Sequence, residues 1–341
     1  MRRHVLALAM ILAAPPSLAV EQTLENGLRV VLIPHRANPM VAASVVVGAG
    51  VVDEVTAASG ASHFLEHLLF NGTDTRSQRQ LYDDADRLGA YNNATTREDH
   101  TLFTLLVAKE HAEEGLAIQA DMLFRSTIPP ANFEKERKIV QEELARDRVD
   151  PSYDVEAAFR ALAYSGTPIA RPVLGTEGGL GAITREQVLA YYKARYVPAN
   201  MTLVVMGDFD VPEMLAIVKR TYGAAPRAPG PQAKGGSWPA PPKENVEIAA
   251  VEKEPPRLLA AFPLEGSPWE NTTAAAQVLL AAAGDGKDSP LSRARTSGSP
   301  AINRAPAASQ SAGPNAASCD ASSSTDPGGE PRIDDERSIA K

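Results

Sequence analysis

From Ser292 to Lys341 the chain contains no Leu, Val, Phe, Met, Tyr or Trp, while Ser, Ala and Pro dominate. Such a stretch cannot bury enough apolar area to offset the entropy lost on ordering it, so it is expected to be disordered. Any core must therefore be assembled from earlier residues. In a chain of 341 residues with 44% hydrophobic content, those residues suffice for one large domain or two medium ones.

Between Glu21 and about Ala225 strand-like and helix-like patterns alternate. Leu28–Ile33, Val41–Val47, Thr101–Val107 and Met201–Met206 are runs rich in β-branched and aliphatic residues and read as strands. Gln80–Leu88 places Leu81, Ala85 and Leu88 on one helical face, and Lys109–Phe124 does the same with Leu116, Ala120 and Leu123. Thr184-Arg185-Glu186-Gln187 has the form of a capping box, with Ile183 and Val188 placed to staple it. The mixture predicts an α+β sandwich with helices on one face of a sheet. Five segments are expected: a signal peptide over 1–19, a main domain over 20–225, a Pro/Gly-rich linker over 226–245, the start of a second domain over 246–291, and the tail over 292–341. In the second domain, Arg257–Phe262 suggests a strand and Thr273–Ala283 a helix.

The first nineteen residues read as an export signal. Arg2 and Arg3 precede a short apolar run from Val5 to Ala14, and Ser17-Leu18-Ala19 offers small residues for cleavage. That run is shorter than the roughly 20 residues a bilayer-spanning helix needs. No later segment is a candidate span, so the mature chain is expected in a bacterial periplasm without a transmembrane segment. The net charge of -8 argues against a nucleic-acid partner, because no basic stripe is available for phosphates. Cys319 is the sole cysteine, so no internal disulfide can form, and a metal would have to be held by His and carboxylate groups.

Only His35, His63, His67, His100 and His111 remain beyond the signal segment. His63-Phe64-Leu65-Glu66-His67 brings two of them to i and i+4. On a helix both imidazoles leave the same face about 6 Å apart, close enough to share one zinc ion. Glu66, three residues after His63, lies on that side too and can act as general base on a water without ligating the metal. Phe64, Leu65, Leu68 and Leu69 cover the rest of the helix and anchor it in the core. The order inverts the commoner zincin motif. A catalytic zinc needs a third protein ligand, and the candidate is Glu143, two turns beyond Glu136 on a helical run and so on the same face. Glu142 points elsewhere, and Glu134 reads as part of a solvated face. His100 and His111 have no ligand spacing to the motif and read as structural.

These residues resemble the pitrilysin/insulinase family of zinc endopeptidases, to which processing-peptidase-like bacterial members belong. The family pairs the inverted motif with a distal glutamate, here 143 − 67 = 76 residues after His67. The resemblance extends to Gly48–Glu54, Gly89–Thr101, Arg171–Gly175, Tyr196–Asn200 and Met206–Asp208. It implies a two-layer α/β sandwich of the processing-peptidase type followed by an incomplete second, similar domain. It further implies zinc on His63, His67 and Glu143, with Glu142 as the rival ligand, Glu66 as general base, and Glu136 supporting catalysis without binding metal. Peptide substrates would bind extended along an edge strand at Asn92, Asn93, Ala94, Thr95 and Thr96.

Family members enclose substrate between two halves, the second supplying an Arg/Tyr pair. No match for that pair is found in this sequence, so a second family subunit is the expected partner. Family-like sequence stops near Leu291, for which a changed reading frame is the expected cause; the other frames of the gene would then contain the continuation. The competing reading is a non-catalytic partner or assembly subunit of a two-subunit peptidase, against which the intact ligand set speaks.

Overall fold

The computed structural model describes residues 19–231, 260–263 and 316–319. The chain divides into two compact units, one of Met1–Arg148 with Gly166–Pro239, the other of Val149–Ser165 with Ala240–Lys341. The first unit opens with three strands, β1 (Val20–Thr23), β2 (Arg29–Pro34) and β3 (Met40–Val47). Helices α1 (Ala61–Leu69) and α2 (Gln78–Arg87) follow, then β4 (Tyr91–Thr96) and β5 (Thr101–Ala108). Helices α3 (Ala112–Arg125) and α4 (Pro130–Asp147) precede α5 (Pro151–Ala163), which belongs to the second unit. The first unit resumes with α6 (Glu177–Ala182), α7 (Arg185–Arg195), β6 (Met201–Gly207) and α8 (Val211–Thr221).

The six strands form one mixed sheet in the order β1-β2-β6-β3-β5-β4. Only β2 and β6 run parallel; every other neighbouring pair is antiparallel. The two-residue period of the pleat decides which face is buried. Val41, Ala43, Val45 and Val47 of β3 alternate inward, as do Phe103, Leu105 and Val107 of β5 and Leu203 and Val205 of β6. Helix α1 packs against β4, α3 against β5 and α8 against β2, so a single helical layer covers this face. The expected two-layer arrangement is thus the observed one, and the four strands predicted for this domain, β2, β3, β5 and β6, lie within a residue of their expected bounds.

Local chemistry accounts for the helix ends. The Thr184 box forms as read from the sequence, with Thr184 accepting from the Gln187 amide and Gln187 reaching back to the Thr184 amide. Ser77 and Gln80 make the same reciprocal pair at the start of α2. Pro residues occupy the first turns of α4 and α8, where their missing N–H costs nothing. The predicted helix over Lys109–Phe124 begins as a 3₁₀ turn at Lys109–His111 before continuing as α3.

In the second unit, α5 is capped by Asp150, whose side chain accepts from the Ser152 amide. Strand β7 (Ala260–Pro263) pairs antiparallel with β8 (Ala316–Cys319). The signal peptide before Ala19, most of the linker over 226–245, the helix expected at Thr273–Ala283, and the tail over 292–341 apart from β8 lie outside the described residues.

Candidate metal centre and active site

Helix α1 is buried at all nine of its residues. Phe64, Leu65, Leu68 and Leu69 have no exposed surface, and each contributes roughly 1.5–3 kcal/mol relative to exposure. That burial forces His63, Glu66 and His67 into a low-dielectric setting, where their polar atoms need partners. The helix start is pinned by Glu54. Its two carboxylate oxygens accept from the Gly60 amide at 2.9 Å and the Ser62 amide at 2.8 Å. Burial nonetheless pushes the Glu54 carboxyl above its ordinary range, against those two amides. Gly60 itself stands at φ 96°, a left-handed conformation that favours glycine.

The rings of His63 and His67 lie 4.7 Å apart, centroid to centroid, at 70°. Helix α4 packs across α1 and delivers two carboxylates to the same spot. Glu143 Oε2 lies 3.8 Å from His63 Nε2 and 3.4 Å from His67 Nε2. Glu136 Oε2 approaches the opposite nitrogen of His67, Nδ1, at 3.6 Å. Glu142 is exposed one residue before Glu143, and Glu134 is exposed and paired with Arg137. The seven-residue step from Glu136 therefore selects Glu143, because only that glutamate shares Glu136's face of α4.

His63, His67 and Glu143 each offer a ligand atom within 4.8 Å of the others. His63 Nδ1, His67 Nε2 and Glu143 Oε2 are buried without hydrogen-bond partners. Donors on a tetrahedral zinc with bonds of about 2.0–2.1 Å stand about 3.4 Å apart, close to the observed spacing about Glu143. The unpartnered His67 Nε2 and Glu143 Oε2 meet with the His63 ring, whose Nε2 faces Glu143, and such a set of two imidazoles and a carboxylate fits a zinc-type cation.

The electrostatics agree. Burial opposes the charged form of His67, but the Glu136 and Glu143 carboxylates outweigh it and push its pKa up to about 9. Burial and the neighbouring His67 charge lower His63 to about 4. Against burial, the two imidazoles hold Glu143 below the usual carboxylate range. Glu66 is pushed up by burial, partly countered by the Thr96 hydroxyl, which donates to Glu66 Oε2 at 2.5 Å.

The stretch Asn92–Thr96 lies in β4, the outermost strand of the sheet, with β5 on one side and no strand on the other among the described residues. Ala94 and Thr96 are buried while Thr95 is exposed. Asn92 Nδ2 sits 3.3 Å from Met122 Sδ, and Asn93 Nδ2 donates to Tyr91 OH at 2.9 Å. His100 bonds Asp99 Oδ1 at 2.7 Å and His111 is exposed, both away from the metal-binding group. Sequence reading missed two groups that shape the site: Glu54, which holds the N-terminus of α1, and the Thr96 hydroxyl on Glu66. The only sequence signal for Glu54 was its place in the Gly48–Glu54 stretch before the helix.

An inverted His-x-x-Glu-His helix buried beneath a mixed sheet, joined by a distal glutamate, defines the inverzincin class of metallopeptidase. The sequence profile of the insulinase family (peptidase family M16) matches residues 29–177, and that of the peptidase M16 inactive domain matches residues 182–298. The chain therefore belongs to the insulinase family, and all of its candidate metal and base residues lie in the first match. The second begins ahead of β6, so the sheet draws on both. An uncharacterized zinc protease of Mycobacterium leprae is 33% identical over 79% of this chain and 61% of its own length. A probable mitochondrial-processing peptidase subunit beta of Schizosaccharomyces pombe is 31% identical over 73% of the chain and 55% of its own length. The chain thus spans a little over half the length of these relatives. The solved first half of the periplasmic protease PqqL from Escherichia coli shares the fold, with a TM-score of 0.71 at 22% identity over 89% of this chain and 68% of that one. Among the described residues no helix is long and apolar enough to cross a membrane.

Proposed function

We propose that this chain is the metal-bearing part of a zinc-dependent endopeptidase that hydrolyses extended, unstructured peptides. The observation that carries the reading is the convergence of His63, His67 and Glu143, with His67 Nε2 and Glu143 Oε2 unpartnered, on the helix that also carries the Glu66 carboxylate. Zinc bound there would polarise the scissile carbonyl and acidify the attacking water. His63, His67 and Glu143 hold the ion, and Glu136 orients His67 from Nδ1 so that Nε2 faces it. Glu66 takes the proton as the water oxygen bonds to the carbonyl carbon, then passes it to the amine nitrogen as the C–N bond breaks. Its elevated pKa suits a group that must both accept and return a proton.

The open side of β4 suits the substrate. A peptide added there pairs through its backbone, whose groups are the same in every sequence, so recognition at Asn92–Thr96 selects for an unfolded chain. Charge at the reacting oxygen would be stabilised by an Arg/Tyr pair from a second family subunit. The export signal read over residues 1–19 and the likeness to a periplasmic protease favour action in a periplasm.

The test compares the wild type with Glu66→Gln for zinc content and for cleavage of an unstructured fluorogenic peptide. The expected result is about one zinc per chain in both proteins and cleavage in the wild type only. Zinc without cleavage, alone or with a co-expressed partner half, would replace this reading with that of a non-catalytic subunit.

A further inference from the structure

Strand β4 and helix α1 pack together, and a side-chain hydrogen bond joins them. Thr96 closes the strand, is buried, and donates its hydroxyl to Glu66 Oε2. Its neighbour Thr95 is exposed. The last two residues of the edge strand therefore face different ways, one toward solvent and one onto the carboxylate beside the metal-ligand group.

We propose that Thr96 is a positioning residue: its hydroxyl fixes the Glu66 carboxylate and ties the base to the strand on which the peptide lies. The inference rests on the peptidase reading above and deepens it. A carboxylate on a flexible glutamate side chain can rotate about its last bonds. Engaging Oε2 from a strand removes that freedom and leaves Oε1 as the oxygen that meets the water. The tie is asymmetric in a useful way, since Thr96 is itself held in register opposite Thr101 of β5. Movement of the strand end on peptide binding is thereby transmitted to the Glu66 carboxylate.

Thr96→Val keeps the shape and removes the hydroxyl; Thr96→Ser keeps the hydroxyl and removes the methyl. With zinc loaded and the unstructured peptide as substrate, Thr96→Val is expected to lower kcat roughly tenfold to a hundredfold, as for loss of a hydrogen bond to a charged group. KM and zinc content should stay within about twofold, and Thr96→Ser should recover most of the rate. In a Glu66→Gln background, Thr96→Val should cause no further loss. Crystal structures of the zinc-loaded variants supply a readout independent of turnover: the Glu66 carboxylate leaves its position in Thr96→Val and keeps it in Thr96→Ser. An unmoved carboxylate, or an unchanged kcat in an active enzyme, would overturn the proposal. A wild type that binds zinc without cleaving would instead refute the peptidase reading, with the displacement of Glu66 still deciding the role of Thr96.

Discussion

At the scale of single residues the site separates the candidate ligands His63, His67 and Glu143 from groups placed to aim them. Glu136 illustrates the second kind, since its carboxylate meets His67 on the nitrogen that points away from Glu143. Glu136→Gln is expected to weaken zinc affinity about tenfold to a hundredfold, the usual cost of losing such a support, as measured by competition with a chelator. The electrostatics add a pH dependence. With both glutamates present, metal-free His67 stays protonated up to about pH 9, and its Nε2 must lose that proton to bind an ion. Zinc binding should therefore release a proton at neutral pH and weaken as pH falls, which calorimetry in buffers of different ionisation enthalpy would detect. Binding without proton uptake by the buffer would show that His67 is already neutral.

At the scale of elements, α1 is set at its start by a loop from far along the chain and at its end by a tie from α3. Gly175 stands at φ 79°, and a Cβ there would collide with Ser59 O and the Gly60 backbone, where the helix begins. Gly175→Ala should therefore destabilise the fold by at least about 2 kcal/mol and lower zinc content along with the denaturation midpoint. Asp121 on α3 ties down the loop after α1, accepting from Thr73, Thr75 and Arg76 at 2.7–2.8 Å. Burial disfavours its charge, but those three donors prevail and hold its pKa below the ordinary 3.8. The stabilisation is thus present above about pH 4 and is lost as pH falls through the lower, folded value. Asp121→Asn is expected to cost about 2–3 kcal/mol at pH 7 and much less near pH 2, as read from urea melts at the two pH values.

These same elements mark how far the sequence could be read. The strands and α1 were legible because β-branched runs and the spacing of Phe64, Leu65, Leu68 and Leu69 report burial locally. Glu143 was legible because the seven-residue step from Glu136 preserves a helical face. Glu54 was not, since it reaches the Gly60 and Ser62 amides over six and eight residues, outside any capping-box spacing. Thr96 on Glu66 was equally hidden: thirty residues separate them, and only the packing of α1 against β4 brings them together. The order of strands was out of reach for a similar reason, because β6 enters between β2 and β3 from more than 150 residues away.

At the scale of the whole chain, the metal-binding group and the complete six-stranded sheet fall within the first compact unit. A fragment spanning residues 20–239 should therefore fold cooperatively and bind one zinc, as followed by circular dichroism and metal analysis. A fragment ending at Arg195 lacks β6, the strand shared by both halves of the sheet, and is expected to remain unfolded. A folded, zinc-binding 20–195 fragment would show that β2 and β3 can join without it.

The position of β6 also sets an order of events during synthesis. Every ligand has been made once Glu143 leaves the ribosome, yet β2 and β3 cannot be joined in this sheet until Gly207 has followed. At a synthesis rate of roughly 5–20 residues per second, that interval is a matter of seconds, during which both strands carry unpaired edges. The candidate ligands are complete in the polypeptide well before β6 can join the two halves of the sheet, so the site takes its final form only after Gly207 has been made.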